Sequence, residues 1–152
     1  EQNCEITEHG EKLRVNDPSQ QLFRIECEQI EKYQFDLKNM PDAGLSKNDI
    51  VLSNQNPAAG EEIEFSATIH NVGNAVTRNI SVDFYIDGKR IASKQINSIE
   101  PPNDLTARTK TVTARWIAES GEHEFKVAVS MDDDEITRRN NEAWNIVNVK
   151  QN

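Results

Sequence analysis

Between Gly60 and Lys89 apolar and polar residues take turns with little interruption. Ile63, Phe65, Ala67 and Ile69 alternate with Glu62, Glu64, Ser66, Thr68 and His70, and after a Gly-containing loop Ile80, Val82, Phe84 and Ile86 alternate with Ser81, Asp83 and Tyr85. A strand turns successive side chains to opposite faces, so the pattern predicts two strands, each with one apolar and one wetted face. Burying Phe65 or Phe84 contributes about 1.5–3 kcal/mol each, more than a surface ion pair, so the core sets the register. Asp87-Gly88 then predicts a tight hairpin, because a type I′ turn needs positive φ at both central residues.

The same period continues downstream. Lys89 to Ile99 returns the hairpin with Ile91 and Ile96 inward, until Pro101-Pro102 ends it. Leu105 to Trp116 places Val112, Ala114 and Trp116 on one face, and the strand introduced by Gly121 turns Phe125, Val127 and Val129 inward. Ala143 to Val149 is the last, with Trp144, Ile146 and Val149 among its apolar residues, and Ile146-Val147 breaks its alternation. With Asp49–Ser53 before the turn Asn56-Pro57-Ala58-Ala59-Gly60, this makes seven strands at spacings of about 8–12 residues, the pattern of an all-β, antiparallel two-sheet sandwich over residues 49–152.

Upstream the signal is weaker. Asn16-Asp17-Pro18-Ser19 supplies turn chemistry, then Phe23, Ile25 and Cys27 alternate, as do Tyr33, Phe35 and Leu37. These predict a short N-terminal β appendage, with a helix over Glu26–Lys32 as the competing reading on propensity. Lys38–Asn48 has Pro, Gly, Asn and Ser without periodicity and reads as a linker, so residues 1–48 form appendage and linker. About forty residues are too few to hold a core alone.

Charge and cysteine content narrow the function classes. The net charge of −9 in 152 residues repels a phosphate backbone, which argues against nucleic-acid partners. No apolar run approaches the ~20 residues of a membrane-spanning helix, and the opening EQNCEITEHGEKL does not read as a signal peptide. Cys4 and Cys27 are an even pair without CxxC spacing or a nearby ligand histidine, which suits a disulfide and hence an oxidising, extracytoplasmic setting; two unrelated buried thiols are the alternative.

Candidate chemistry is sparse. Asp132 and Asp134 within Met131–Glu135, together with Asn140, Asn141 or Glu142, could converge on calcium, which takes oxygen ligands, although an acidic loop tip is more often simply solvated. Glu142 with Asn140, Asn141 and Asn145 is better explained as satisfying backbone groups where the last strand enters the sheet. His9, His70 and His123 lie on separate elements without ligand spacing, and no nucleophile motif occurs. Both Trp116 and Trp144 are expected in the core or between sheets, whereas Tyr85 should face outward as an exposed aromatic contact. Asn79-Ile80-Ser81 matches the N-glycosylation acceptor pattern.

Pro57 with Gly60-Glu61, Asn71-Val72-Gly73, Val82–Gly88 (VDFYIDG), Trp116, Gly121–Phe125 (GEHEF) and Asn141-Glu142 with Asn145 occur in the order of the CARDB domain, which residues 49–149 resemble. Arg138 stands where the family pattern usually has an acid, and Trp144-Asn145 where it has paired asparagines. The resemblance implies an immunoglobulin- or fibronectin-like sandwich. It further implies a non-enzymatic adhesion, protein-interaction or spacer module of a surface or secreted protein, extracellular, with a protein or cell-surface partner. Two rival readings are a structural subunit that self-assembles by β-strand augmentation through residues 1–37, and a carbohydrate-binding module that places Tyr85 and a Trp on one exposed face. No cofactor other than calcium is expected.

Overall fold

The computed structural model describes residues 6–8, 11–13, 39–102, 104 and 106–151, in two compact units divided between Lys38 and Asn39. In the first unit, β1 (Ile6–Glu8) and β2 (Glu11–Leu13) pair antiparallel, with Ile6 opposite Leu13. Cys4, Cys27, His9 and the strands expected over Phe23–Leu37 lie outside the described residues.

The second unit contains β3 (Ala43–Gly44), a turn of 3-10 helix at Lys47–Asp49, β4 (Ile50–Leu52), β5 (Glu62–Asn71), β6 (Thr77–Ile86), β7 (Lys89–Ile99), β8 (Arg108–Ile117), β9 (Gly121–Ser130) and β10 (Glu142–Val149). One sheet runs β10-β9-β6-β7; in the other, β5 pairs with β8 on one side and with β3 and β4 on the other. The pairings between these strands are antiparallel. This is the connectivity of an immunoglobulin- or fibronectin-like sandwich, with β10-β9-β6 as the GFC strands and β7 extending their sheet.

The alternation read in the sequence is the alternation of burial. Ile63, Phe65, Ala67 and Ile69 of β5 and Ile80, Val82 and Phe84 of β6 are fully buried, as is Val127 of β9. Phe65 reaches across from its sheet to meet the edges of Phe84 and Phe125 on the other, with ring centroids 5.0 and 4.8 Å away at 80° and 90°. Trp116 packs on Phe125 in the same edge-to-face manner at 5.3 Å. Such pairs are favourable beyond their buried area, because the positive ring edge meets the negative face.

Asp87 and Gly88 have φ of 50° and 76°, as the expected turn requires. Asp87 also ties the hairpin to β9: its carboxylate accepts from the Glu124 N–H at 2.9 Å and lies 2.6 Å from His123 Nδ1. The hydrogen bond with His123, then that from Glu124, hold its carboxyl below the usual carboxylate range, against a small opposing effect of burial.

Two expectations are corrected. Residues 39–48 are not a loose linker: Ala43 and Leu45 are buried in the core, and Gly73 packs so closely on this stretch that a Cβ there would lie 2.4 Å from the Met40 carbonyl oxygen. Trp144 is not a core residue but 58% exposed, because β10 turns Ala143, Val147 and Val149 inward and Trp144 and Ile146 outward.

Phe65→Ala is expected to cost about 3–5 kcal/mol in urea denaturation, since two ring contacts across the sheets are lost and a cavity is left. Asp87→Asn keeps a residue suited to positive φ and removes the charge. Its cost at pH 7 should be under about 1 kcal/mol, discounted because Asp87 is half exposed. A carboxyl held low stabilises above its unfolded pKa and loses that contribution as pH falls through the folded value. The difference between the two proteins in thermal melts should therefore vanish in acid.

Candidate functional site

The two sheets present different outer faces. On the β5–β8 sheet, paired positions are hydroxyl-rich: Ser66 opposes Thr113, and Thr68 opposes Thr111 with their hydroxyls 3.0 Å apart. On the β10-β9-β6-β7 sheet, register lines up Trp144, Lys126, Tyr85 and Arg90 in one row. Ile146, 57% exposed, stands next to Trp144 on that face, opposite Glu124.

A mesh of charge surrounds this row. Lys126 Nζ is 2.7 Å from Glu142 Oε2 and 5.9 Å from the centre of the Tyr85 ring. Arg90 lies 3.5 Å from Asp83 Oδ2, to which the Tyr85 hydroxyl donates at the same distance. Tyr85 lies on this outer face half-buried under Lys126, and Trp144 is the aromatic that projects freely. A bulge between Phe84 and Tyr85 shifts register within this row. The extra residue is Ile91 of β7, so the bulge brings Arg90 opposite Tyr85.

The calcium candidates do not come together. Asp132 and Asp134 are exposed on the β9–β10 loop, and Glu142 points from β10 onto the outer face, where Lys126 neutralises it. Among the described residues no group of three or more His, Cys, Asp or Glu could hold a metal ion. The asparagines near β10 serve backbone groups in part: Asn141 Nδ2 donates to the Val129 carbonyl at 3.4 Å and to Glu135 Oε1 at 2.7 Å.

Asn79 is exposed with φ of 52°, a left-handed conformation that Asn tolerates better than most residues. His70 and His123 each face a carboxylate, Asp49 at 2.8 Å and Asp87 at 2.6 Å, and each is absorbed in holding neighbouring elements together. Two open clefts of about 400 Å³ each lie between β7 and β8, one lined by Ser98, Glu100, Arg108 and Lys110, the other by Gln95, Asn97 and Thr111 among others. Their walls carry no paired carboxylates.

Sequence reasoning missed Trp144 and Ile146 as surface residues. Ala143, Val147 and Val149 share one parity and face the core, which leaves residues 144 and 146 on the other face.

The family model CARDB matches residues 45–146. The fold is similar to that of a CARDB domain from Pyrococcus furiosus solved in complex with di-metal ions, with a TM-score of 0.62 and 20% identity over 73% of this chain and 94% of that one. A domain from a protein assigned by name to the cell surface in Methanosarcina acetivorans has a TM-score of 0.57 at 19% identity, over 73% of this chain and 93% of that one. A protein from Geobacter metallireducens has a TM-score of 0.54 at 26% identity, over 68% of this chain and 93% of its own. No curated protein matches. A family match across two thirds of the sequence, on a sandwich with the expected order of strands, places this chain in the CARDB family.

Proposed function

We propose that the chain is a non-catalytic extracellular module that contacts a protein partner at the cell surface through the outer face of the β10-β9-β6-β7 sheet. The observation that carries this reading is Trp144, 58% exposed beside exposed Ile146 and in register with Lys126, Tyr85 and Arg90. Trp, Tyr and Arg dominate the energetics of protein interfaces, because they bury large areas while keeping polar groups that can be satisfied. The mixed charges around them would supply a polar rim. The cell-surface assignment of the Methanosarcina acetivorans protein supports an extracellular setting. In an exported chain, exposed Asn79 would be open to glycan attachment.

A second reading draws on the same row. Trp144 and Tyr85 share one face two strands apart, about 10 Å by ordinary strand spacing, which would let two aromatic platforms meet one polysaccharide. Lys126 over the Tyr85 ring favours the protein reading, since it covers the second platform.

Trp144→Ala should leave stability within about 0.5 kcal/mol of the unsubstituted protein in urea denaturation, as for other surface substitutions. Labelled protein should bind cells of the source organism, and Trp144→Ala should lower that binding at least tenfold. Protease treatment of the cells should abolish binding; loss on glycosidase treatment alone would favour the polysaccharide reading. Unchanged cell binding by Trp144→Ala would overturn both.

A further inference from the structure

On one flank of the sandwich, both sheets end in an open edge. Among the described residues β7 pairs with β6 alone and β8 with β5 alone, and the two clefts of about 400 Å³ each open between β7 and β8. A strand paired on one side presents a row of unpaired N–H and C=O groups on the other. This flank is also basic. β7 and β8 carry Lys89, Arg90, Lys94, Arg108, Lys110 and Arg115, and neither strand contains an acid, in a chain whose net charge is −9.

Two of these cations stand where the register calls for apolar residues. Lys94 is opposite Val82 and Lys110 is opposite Ile69, and both partners are fully buried. Strand parity therefore assigns both lysines to the inner faces of their sheets, yet both are exposed. A long side chain achieves this only where the sheets open at an edge. Arg90, Arg108 and Arg115 have carboxylate partners in Asp83, Asp104 and Glu62. Lys94 and Lys110 have no ion-pair partner among the described residues.

Lysines at inner positions of edge strands keep most other strands from pairing there, because an incoming strand would cover an unpaired charge. An incoming carboxylate at that position cancels the cost. The device that excludes neutral or basic strands thus admits an acidic one.

We propose that this flank takes up an extended acidic segment of a partner protein, added as a strand to the open edge of β8. An acid opposite Lys110 would meet it directly across the strands, and acids at alternate positions would project toward β7, which carries Lys94. The residues between them would lie beside Thr109, Thr111 and Thr113 on the outer parity of β8, where Thr or Val fits. Glu100 lines the cleft end near Arg108 and would repel an acid there, so attraction centres on Lys110 and Lys94. This surface lies apart from the Trp144 row and does not rest on it.

A soluble peptide of four Thr-Glu repeats, titrated into the full chain, tests the site. Amide NMR should show saturable shifts along β8 and at Lys94, with the slowed exchange of β8 amides that strand pairing brings. Affinity should fall at least about fivefold between low and physiological salt. The double variant Lys94→Glu, Lys110→Glu changes two exposed side chains; it should bind the peptide at least about tenfold more weakly and bind a Thr-Lys peptide instead. Trp144→Ala should bind the Thr-Glu peptide unchanged, which separates this site from the outer-face contact. A peptide that does not bind, shifts centred on the β10-β9-β6 outer face, or undiminished binding by the double variant would each overturn the proposal. So would alginate bound at these lysines more tightly than the peptide, which would mark a site for polyanions rather than for a strand.

Discussion

The contact on which the sandwich depends is the meeting of Phe65 with Phe84 and Phe125 between the sheets. Phe65 belongs to β5, and its two partners to the paired strands β6 and β9, so one side chain joins three strands and both layers. In antibody domains the corresponding place is held by a disulfide between the second and sixth strands of the sandwich, with a tryptophan packed against it. Here no such bridge can form, because both cysteines of the chain lie within residues 1–38. Edge-to-face aromatic packing, extended by Trp116 against Phe125, takes that role without any redox requirement.

Around this centre, the segments that match the family pattern prove to be fasteners of loops. Asn71 is buried and fully engaged: its side-chain nitrogen donates to the carbonyls of Ala75 and Ile99, and its oxygen accepts from the Gly73 N–H. Gly73 is then pressed against the backbone of residues 40–42, and Asn74 Oδ1 accepts from the Met40 N–H. At the other end, Glu61 accepts from Asn54 Nδ2 and from the Ala58 N–H, closing the turn after buried Pro57. A buried loop must find partners for its polar backbone, and these side chains supply them.

How much of this was legible in the sequence depended on whether a strand has one apolar face or two. β5, β6 and β9 carry apolar residues at one parity and polar ones at the other, so their inward sets could be read directly. β10 offers Trp144 and Ile146 on one face and Val147 and Val149 on the other, and pattern alone does not choose between them. The larger pair faces out because β10 lies at the edge of its sheet and its small Ala143 faces the core. Residues 39–48 lacked periodicity because their order comes from the Asn71–Asn74 loop rather than from their own propensity. Glu135 was hidden for a similar reason: within a run of acids it reads as a solvated tip, and its burial is decided by Asn141 and by the bond from Ile136 to Pro41.

The anchoring of residues 40–45 bears on how the module would respond to tension. A pull transmitted from the first unit reaches the sandwich at Met40, where it meets three bonds to the Val72–Asn74 loop, three more from Pro41, Asp42 and Leu45 to Ile136 and Asn140, and the short pairing of Ala43-Gly44 with His70-Asn71. A pull on the other end reaches β10, paired with β9 along eight residues and tied beyond its end to Pro57 and Ala59 through Lys150. The two attachments are unequal, and the short one would yield first. Stretching would therefore peel away residues 40–45 while the aromatic centre stays closed, giving the module a soft first extension before any loss of its outer face.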